Sequence, residues 1–466
     1  MARHRPLPYV PFIAHARLHR QYLCCQRDGP HMEFPARVDV DHLIDPQPLP
    51  EFTRVRYEPR TERLADADAA ARESLGDLGV ESLPEGATVA VGVGSRGIDR
   101  IDRVAAAVVD ELAERGLDPV VVPAMGSHGG ATPEGQREVL DALGITEETV
   151  GAPIDARMEA TTLETVSVGE TEMPVYFSTA ALEADAVLVV NRVKAHTNFS
   201  GPVESGLAKM TVVGLGKQRG AKSFHSTAIA EGYVETLTPA LDVIERETPL
   251  LGGVALVENF DEEIGHLEAV PAGSFLDREP ELLERAYESM PTLPVDDIDL
   301  LVIDEIGKEI SGAGMDTNVI GRYRVLNAPD PETPDIDLIY VRGLTEATKG
   351  NGNGIGLADL TRRSAVDQLD LKKTYANALT SGSLSKSKLP VVAPDDEFAL
   401  RTGLAALGGY DPETVRIVWV RNTQDLGTLR VSDAVVDDLP AAANPAGRER
   451  ISFDDEGTAN FEPADR

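Results

Sequence analysis

The chain has 466 residues, 78 acidic against 44 basic side chains, a formal charge of −34 and a hydrophobic content of 42%. That length is enough to bury cores in two or three domains, and the acidic balance argues against nucleic acid as a partner, since no basic stripe is present to neutralise phosphates. No run of eighteen apolar residues predicts a membrane span, and the surface reads as a solvated acidic one, suited to a salty cytoplasm and kept apart by self-repulsion that salt screens.

Residues 1–31 stand apart from the rest. They carry five Arg against one acid (Asp28), four of the nine His and both cysteines, Cys24 and Cys25. The adjacent cysteines form neither a disulfide framework nor a metal motif. The segment reads as a basic N-terminal extension, and more specifically as an upstream start-site artefact with Met32 as the native start.

From Met32 strands and helices alternate. Ala87–Val93 is predicted as a buried strand, followed by a helix from Ile98 to Arg115 with Val104, Val108 and Leu112 at helical spacing. Asp118–Ala124 is a second strand. Thr132 caps a helix that Pro133 opens and that runs to Leu143. Ala184–Val190 is a third buried strand. Such apolar runs belong to parallel βαβ units. The proline-bearing, acidic MPTLPVDD near residue 290 is a linker, and Asp297–Asp304, Asp335–Val341 and Val415–Val420 start a second set of strands. The expected fold is α/β, with one domain at 32–290 and a second at 291–440, their sheets parallel or mixed. The tail at 441–466, rich in Ala, Asn, Glu and Asp, is expected to be loose.

Ligands of open parallel sheets bind past the carboxyl ends of the strands. Three polar residues follow the three predicted strands there: Arg96 in Gly-Ser-Arg-Gly, His128 in Gly-Ser-His-Gly-Gly, and His196 in Lys-Ala-His. Glycines permit a close approach beside the first two. The window Asn191–His225 adds a second signal. The chain has only ten lysines, none before Lys194, and four of them (Lys194, Lys209, Lys217, Lys222) lie in this window with His196 and His225. Scarcity argues that Lys209 and Lys217 are more than ordinary solvated amines. Phosphate loops fit poorly. GLGKQRGAKS has five residues between Gly214 and Gly220 and an alanine before Lys222, and NGNGIGLAD lacks a clear strand before it. Each remains open as a generic anion-binding loop or a plain turn. No HExxH, CxxC pair or EF-hand loop is present.

PAMGSHGGATPEGQ and the stretch from His196 to His225 resemble the nickel-dependent lactate racemase family, and the likeness extends over roughly 34–440. The resemblance implies two α/β domains with the active site in the cleft between them. It also implies a nickel-pincer nucleotide cofactor, a pyridinium mononucleotide with two sulfur-bearing arms. His128 and His196 match the family's two catalytic histidines. Lys209 looks like the lysine that holds the cofactor covalently, and His225 like the histidine that completes nickel's ligands. Arg96 matches an arginine at the substrate site. The chemistry implied is inversion of a 2-hydroxy acid by reversible hydride transfer, with two imidazoles moving the hydroxyl proton and an arginine fork on the carboxylate.

The substrate-recognising positions depart from the family. Val93 stands where the racemases have Asp, and in GMDTNVIGRYR Gly321 and Arg324 stand where they have Gln and Lys. A hydroxy acid larger than lactate is expected to use the space at Gly321, with Arg324 clamping its carboxylate. The alternative reading is a carrier, sensor or cofactor handler on the same scaffold that binds a nucleotide-like or acidic metabolite without exchange. Either way a small-molecule ligand and a cytoplasmic protein are expected.

Overall fold

The computed structural model describes residues 33–464 apart from 96, 326 and 327. The extension at 1–31 and Arg96 therefore lie outside the described residues. The strands, in chain order, are β1 (Phe52–Tyr57), β2 (Thr88–Val93), β3 (Asp118–Pro123), β4 (Ala160–Val168), β5 (Thr171–Ser178), β6 (Ala186–Arg192), β7 (Leu250–Glu258), β8 (Ile264–Pro271), β9 (Asp297–Ile303), β10 (Asp335–Val341), β11 (Leu360–Arg362), β12 (Val391–Ala393), β13 (Ile417–Val420), β14 (Thr428–Ser432), β15 (Ala443–Phe453) and β16 (Ala459–Pro463). The protein is α/β, built on two mixed sheets.

The first sheet has the order β3-β2-β6-β7-β8, parallel except for β8. Its central strands are apolar on both faces because helices cover both. On one face lies the helix Ile101–Glu114, with Val104, Val108 and Leu112 buried. It starts three residues later than the apolar spacing suggests, because Arg100 takes a left-handed φ of +47° just before it. On the other face lie the helices Lys217–Glu231, Tyr233–Glu247 and Phe275–Ser289. Pro133–Ala142 is helical as expected, with the Thr132 hydroxyl accepting from the Gly135 amide. The β4–β5 ribbon, which the sequence reading did not anticipate, packs on the helix Lys217–Glu231.

The second sheet has nine strands in the order β12-β11-β10-β9-β13-β14-β1-β15-β16. β9 to β13 run parallel, whereas β14, β1, β15 and β16 add antiparallel pairs. Two sequence expectations are corrected here. Residues 52–57 do not belong with the first domain, since β1 is inserted between β14 and β15. The segment after 440 is not loose, since 443–463 forms a hairpin on β1. Apolar side chains anchor it: Phe461 stacks edge-on against Trp419 and Phe52, at ring separations of 4.9 and 5.4 Å. Composition hid this, because most of the other residues of the stretch are small, polar or charged and only a few are buried.

In the first sheet β2 and β3 lie to one side and β6 to the other, so the chain reverses strand order between β2 and β6. The segments after β2, β3 and β6 therefore leave the same edge, at a crevice of the kind that receives ligands. Among the described residues no helix is long and apolar enough to cross a membrane.

Candidate active site at the ends of the parallel strands

β6 runs directly into the loop that carries His196. The loop is closed at its base, where Lys194 and Ser205 exchange backbone hydrogen bonds. Its centre is held by Glu204, which is 2% exposed. That carboxylate accepts from the His196 amide at 2.5 Å, the Gly201 amide at 2.9 Å and the Tyr287 hydroxyl at 2.9 Å. Burial nevertheless raises its pKa. The second sheet's domain grips the same loop from outside. Asn318 donates to the His196 carbonyl (3.2 Å), Thr317 to the Thr197 carbonyl (2.9 Å), and Lys386 to the Thr197 carbonyl (3.0 Å) and the Asn198 side chain (2.7 Å). His196 therefore sits where the two domains meet.

The His196 ring packs on Phe199 (4.4 Å) and Tyr233 (5.7 Å). Its Nδ1 accepts the Asn198 amide at 3.2 Å, which assigns the ring proton of the neutral form to Nε2. Its pKa is held well below the ordinary histidine value, first by burial and then by the positive charge of Lys209, with His225, Lys386 and Lys194 adding to it.

Lys209 ends a short helix, Leu207–Lys209, whose first amides are capped by the buried carboxylate of Glu279, 2.7 Å from the Ala208 nitrogen. Burial pushes Glu279 up to about 7, and its second oxygen is buried without a partner. Beyond Lys209 the chain makes a wide turn, Leu215 bonding back to Met210, and continues into the helix Lys217–Glu231. Wide turns of this i→i+5 type recur at functional sites. The Lys209 ammonium lies 5.9 Å from the centre of the Tyr233 ring. Tyr233 thus touches His196 on one side and faces Lys209 on another, and packs on Phe224 at 5.0 Å. His225 follows Phe224 within the helix. It is exposed, yet surrounded closely enough that burial, with help from Lys209, pushes its pKa down to about 4. His196, Lys209 and His225 thus come together, and both imidazoles are neutral at pH 7.

His128 is brought to the same edge by backbone packing. Its turn follows β3 and leans on the Lys209 segment through the Gly126 amide, which donates to the Gly214 carbonyl at 3.0 Å. A Cβ on Gly126, where φ is +59°, would crowd the Val213 carbonyl. His128 is exposed and its Nδ1 makes a short contact with the Ser95 hydroxyl, in the segment after β2. Serine can donate or accept, so either neutral tautomer of His128 is accommodated.

Other sequence candidates sit differently. Arg324 is exposed, and its guanidinium pairs with Asp330 at 3.3 Å rather than reaching the junction. Gly321 frees no room for a substrate: it has φ +63° and its missing side chain's place is taken by the Pro334 carbonyl. Replacement of Gly321 by Ala is expected to destabilise the fold by more than about 1 kcal/mol, read as a lower denaturation midpoint; an unchanged midpoint would contradict the assignment. Val93 is fully buried in the core behind the sheet and faces no ligand. The GLGKQRGAKS stretch is a helical turn and helix start with no strand before it, so it is not a phosphate loop. In NGNGIGLAD the amides of Gly352, Asn353, Gly354 and Ile355 are all used internally, which leaves none of them to cradle an anion. Lys217 is not solvated: it is fully buried, and burial lowers it to about 8. His266 is paired with Glu268 at 2.8 Å.

The sequence reading missed Glu204, Tyr233, Glu279, Asn318 and Lys386. The lysine scarcity that singled out 191–225 also applied to Lys386. A cavity of about 720 Å³ opens elsewhere, beyond β9 and β13, lined by Glu305, Glu309, Glu346, Arg421 and Asp425. None of the site residues named above lines it. Among the described residues no three His, Cys, Asp or Glu gather to hold a bare metal ion.

Residues 101–312, less than half of the chain, match the family model described as a domain of unknown function, DUF362. No curated protein matches the sequence. The chain is similar to the crystal structure of a protein from Thermotoga maritima, with 16% identity, 77% of this chain and 97% of that one covered, and a TM-score of 0.48. It is also similar to the lactate racemase apoprotein from Thermoanaerobacterium thermosaccharolyticum, with 14% identity, 79% and 85% covered, and a TM-score of 0.43.

Proposed function

We propose that the protein is a racemase or epimerase of a 2-hydroxy acid other than lactate. The observation that carries this reading is the meeting of His196, Lys209 and His225 at the domain junction, with His128 at the end of β3, one strand beyond β2 on the same edge. Lys209 and His225 are the residues that would hold a nickel-pincer nucleotide. They fit it in chemical type: His225 is neutral, as a metal-ligating imidazole must be, and Lys209 offers an amine beside an aromatic ring. When bound, that cofactor supplies an acceptor for the hydrogen on C2 of the substrate, as hydride. All other steps fall to the chain's own side chains.

In the tautomer that directs Nδ1–H to Ser95, His128 has an unprotonated Nε2 and takes the hydroxyl proton of one enantiomer. His196, with its proton on Nε2, donates a hydrogen bond to the substrate oxygen from the other side. When the hydride returns to the other face of C2, the oxygen regains its proton from His196. That ring takes up a proton from solvent on Nδ1, breaking the Asn198 contact, before it gives the Nε2 proton and is left neutral. His128 releases the proton it took to solvent, and the opposite enantiomer runs these transfers in reverse. Tyr233, Phe199 and Phe224 exclude water beside the reacting groups. Arg96 is assigned to the substrate carboxylate. Lactate is disfavoured because Val93, Gly321 and Arg324 stand where the racemases have Asp, Gln and Lys; the clamp expected from Arg324 on a larger acid is not formed, since Arg324 is engaged by Asp330. The same observation favours the second reading, a non-racemase that binds an acidic metabolite without exchange.

The deciding experiment uses protein produced alongside cofactor-synthesis enzymes, held in high salt, and offered single enantiomers of a panel of 2-hydroxy acids. Loss of optical purity for at least one acid, in the wild type and not in a His225→Ala variant, supports the racemase. Saturable binding of an acid with no loss of optical purity across the panel supports the carrier or sensor.

A further inference from the structure

Lys217 occupies a position that suits lysine poorly on two counts. Its backbone is left-handed, with φ +54°, which disfavours any side chain bearing a Cβ. Its side chain is fully buried, which disfavours a charged amine. Glycine would suit the backbone better and an apolar residue the burial. What lysine adds is donors, and they are spent in one place. Nζ donates to the carbonyl of Pro123, the last residue of β3, at 2.8 Å, and to Gln136 Oε1 at 3.4 Å. Gln136 is itself fully buried and spends its amide on the turn that follows β3. Its Nε2 donates to the Gly126 carbonyl at 3.0 Å and to the His128 carbonyl at 3.4 Å.

An ammonium can only donate. Its presence beside Gln136 dictates that Oε1 faces Lys217, and therefore that Nε2 faces the two carbonyls of the turn. Without that donor the amide loses what fixes its orientation, and the flipped form would set an oxygen against two carbonyl oxygens.

We propose that Lys217, acting through Gln136, is the positioning residue for His128, fixing the turn that presents the imidazole to the cleft. Lys217 meets no ligand, because no surface of it is open. The assignment rests on the racemase reading for the use made of His128, but not for the geometry of the turn.

The test is backbone amide exchange in the full-length, cofactor-free protein, with the Gly126 and His128 amides as reporters. Two variants are compared with the wild type. Lys217→Met removes the donor. Gln136→Glu keeps a partner for Lys217 but removes the N–H aimed at the turn, so it stays informative where Lys217→Met fails to fold. The expected result is exchange at least tenfold faster at Gly126 and His128 in both variants, with Val302 and Val418 of the nine-stranded sheet unchanged. In loaded protein the same variants lower kcat at least tenfold with KM little altered. Unchanged exchange at the two reporters, or equal acceleration at all four amides, overturns the proposal. Accelerated reporters in a protein that inverts no hydroxy acid would leave the positioning role standing and remove the racemase.

Discussion

Replacement of His196 by Ala is expected to lower the rate of inversion by roughly 10²–10⁴-fold, the range for loss of a general acid–base group. The reason is geometric as much as chemical. His196 sits on a loop that is held from both domains, by Glu204 and Asn318 at the backbone of His196 itself and by Lys386 at Thr197 and Asn198. Its low pKa keeps it neutral at rest, so an extra proton taken up on the ring is readily given to the substrate oxygen. His128→Ala is expected to fall in the same range. Initial rates from each enantiomer separately give the sharper comparison, because the Asn198 contact makes the two histidines inequivalent. Rates within tenfold of the wild type for either variant would remove that histidine from proton transfer.

The second large effect concerns stability and pH. Glu279 is pushed up to about 7 from an ordinary 4.5. A carboxyl whose folded pKa lies above its unfolded one favours the native state fully below pH 4.5, and that contribution disappears as the pH rises through 7. The gap is worth about 3 kcal/mol. Glu279→Gln retains an oxygen for the Leu207 and Ala208 amides and abolishes the titration. Between pH 5 and pH 8 the wild type should therefore lose about 2–3 kcal/mol relative to the variant. Chemical denaturation at the two pH values reads this as a double difference, and parallel pH dependences in the two proteins would contradict it. Because Glu279 caps the helix that bears Lys209, the same titration bears on the site.

Much of this was legible in the chain itself, for identifiable reasons. The buried parallel strands announce themselves as unbroken apolar runs, and β10 falls where Asp335–Val341 places it. Thr132 and Pro133 announce their helix through local chemistry. β1 and β15 do not, because each is stabilised by a partner hundreds of residues away: Thr53 pairs with Val431 on one side and Arg448 on the other. Alternation of charged and apolar residues reads as solvated chain until that partner is known. At the site, residue scarcity pointed to Lys209 and His225, and the strand ends pointed to His128 and His196. Scarcity said nothing of burial, so Lys217 looked like its neighbours although its amine is sealed inside the fold. Gly321 looked like freed space, whereas a carbonyl from another segment fills it. Arg324 looked like a clamp because a sequence does not reveal that Asp330 is near.

The most direct measurement follows a deuterium label on C2 of a single enantiomer through inversion by the loaded protein. The account predicts a product of opposite configuration that keeps the label at C2, with turnover abolished in the His225→Ala variant. Loss of the label to water during inversion, or full turnover without His225, would contradict it.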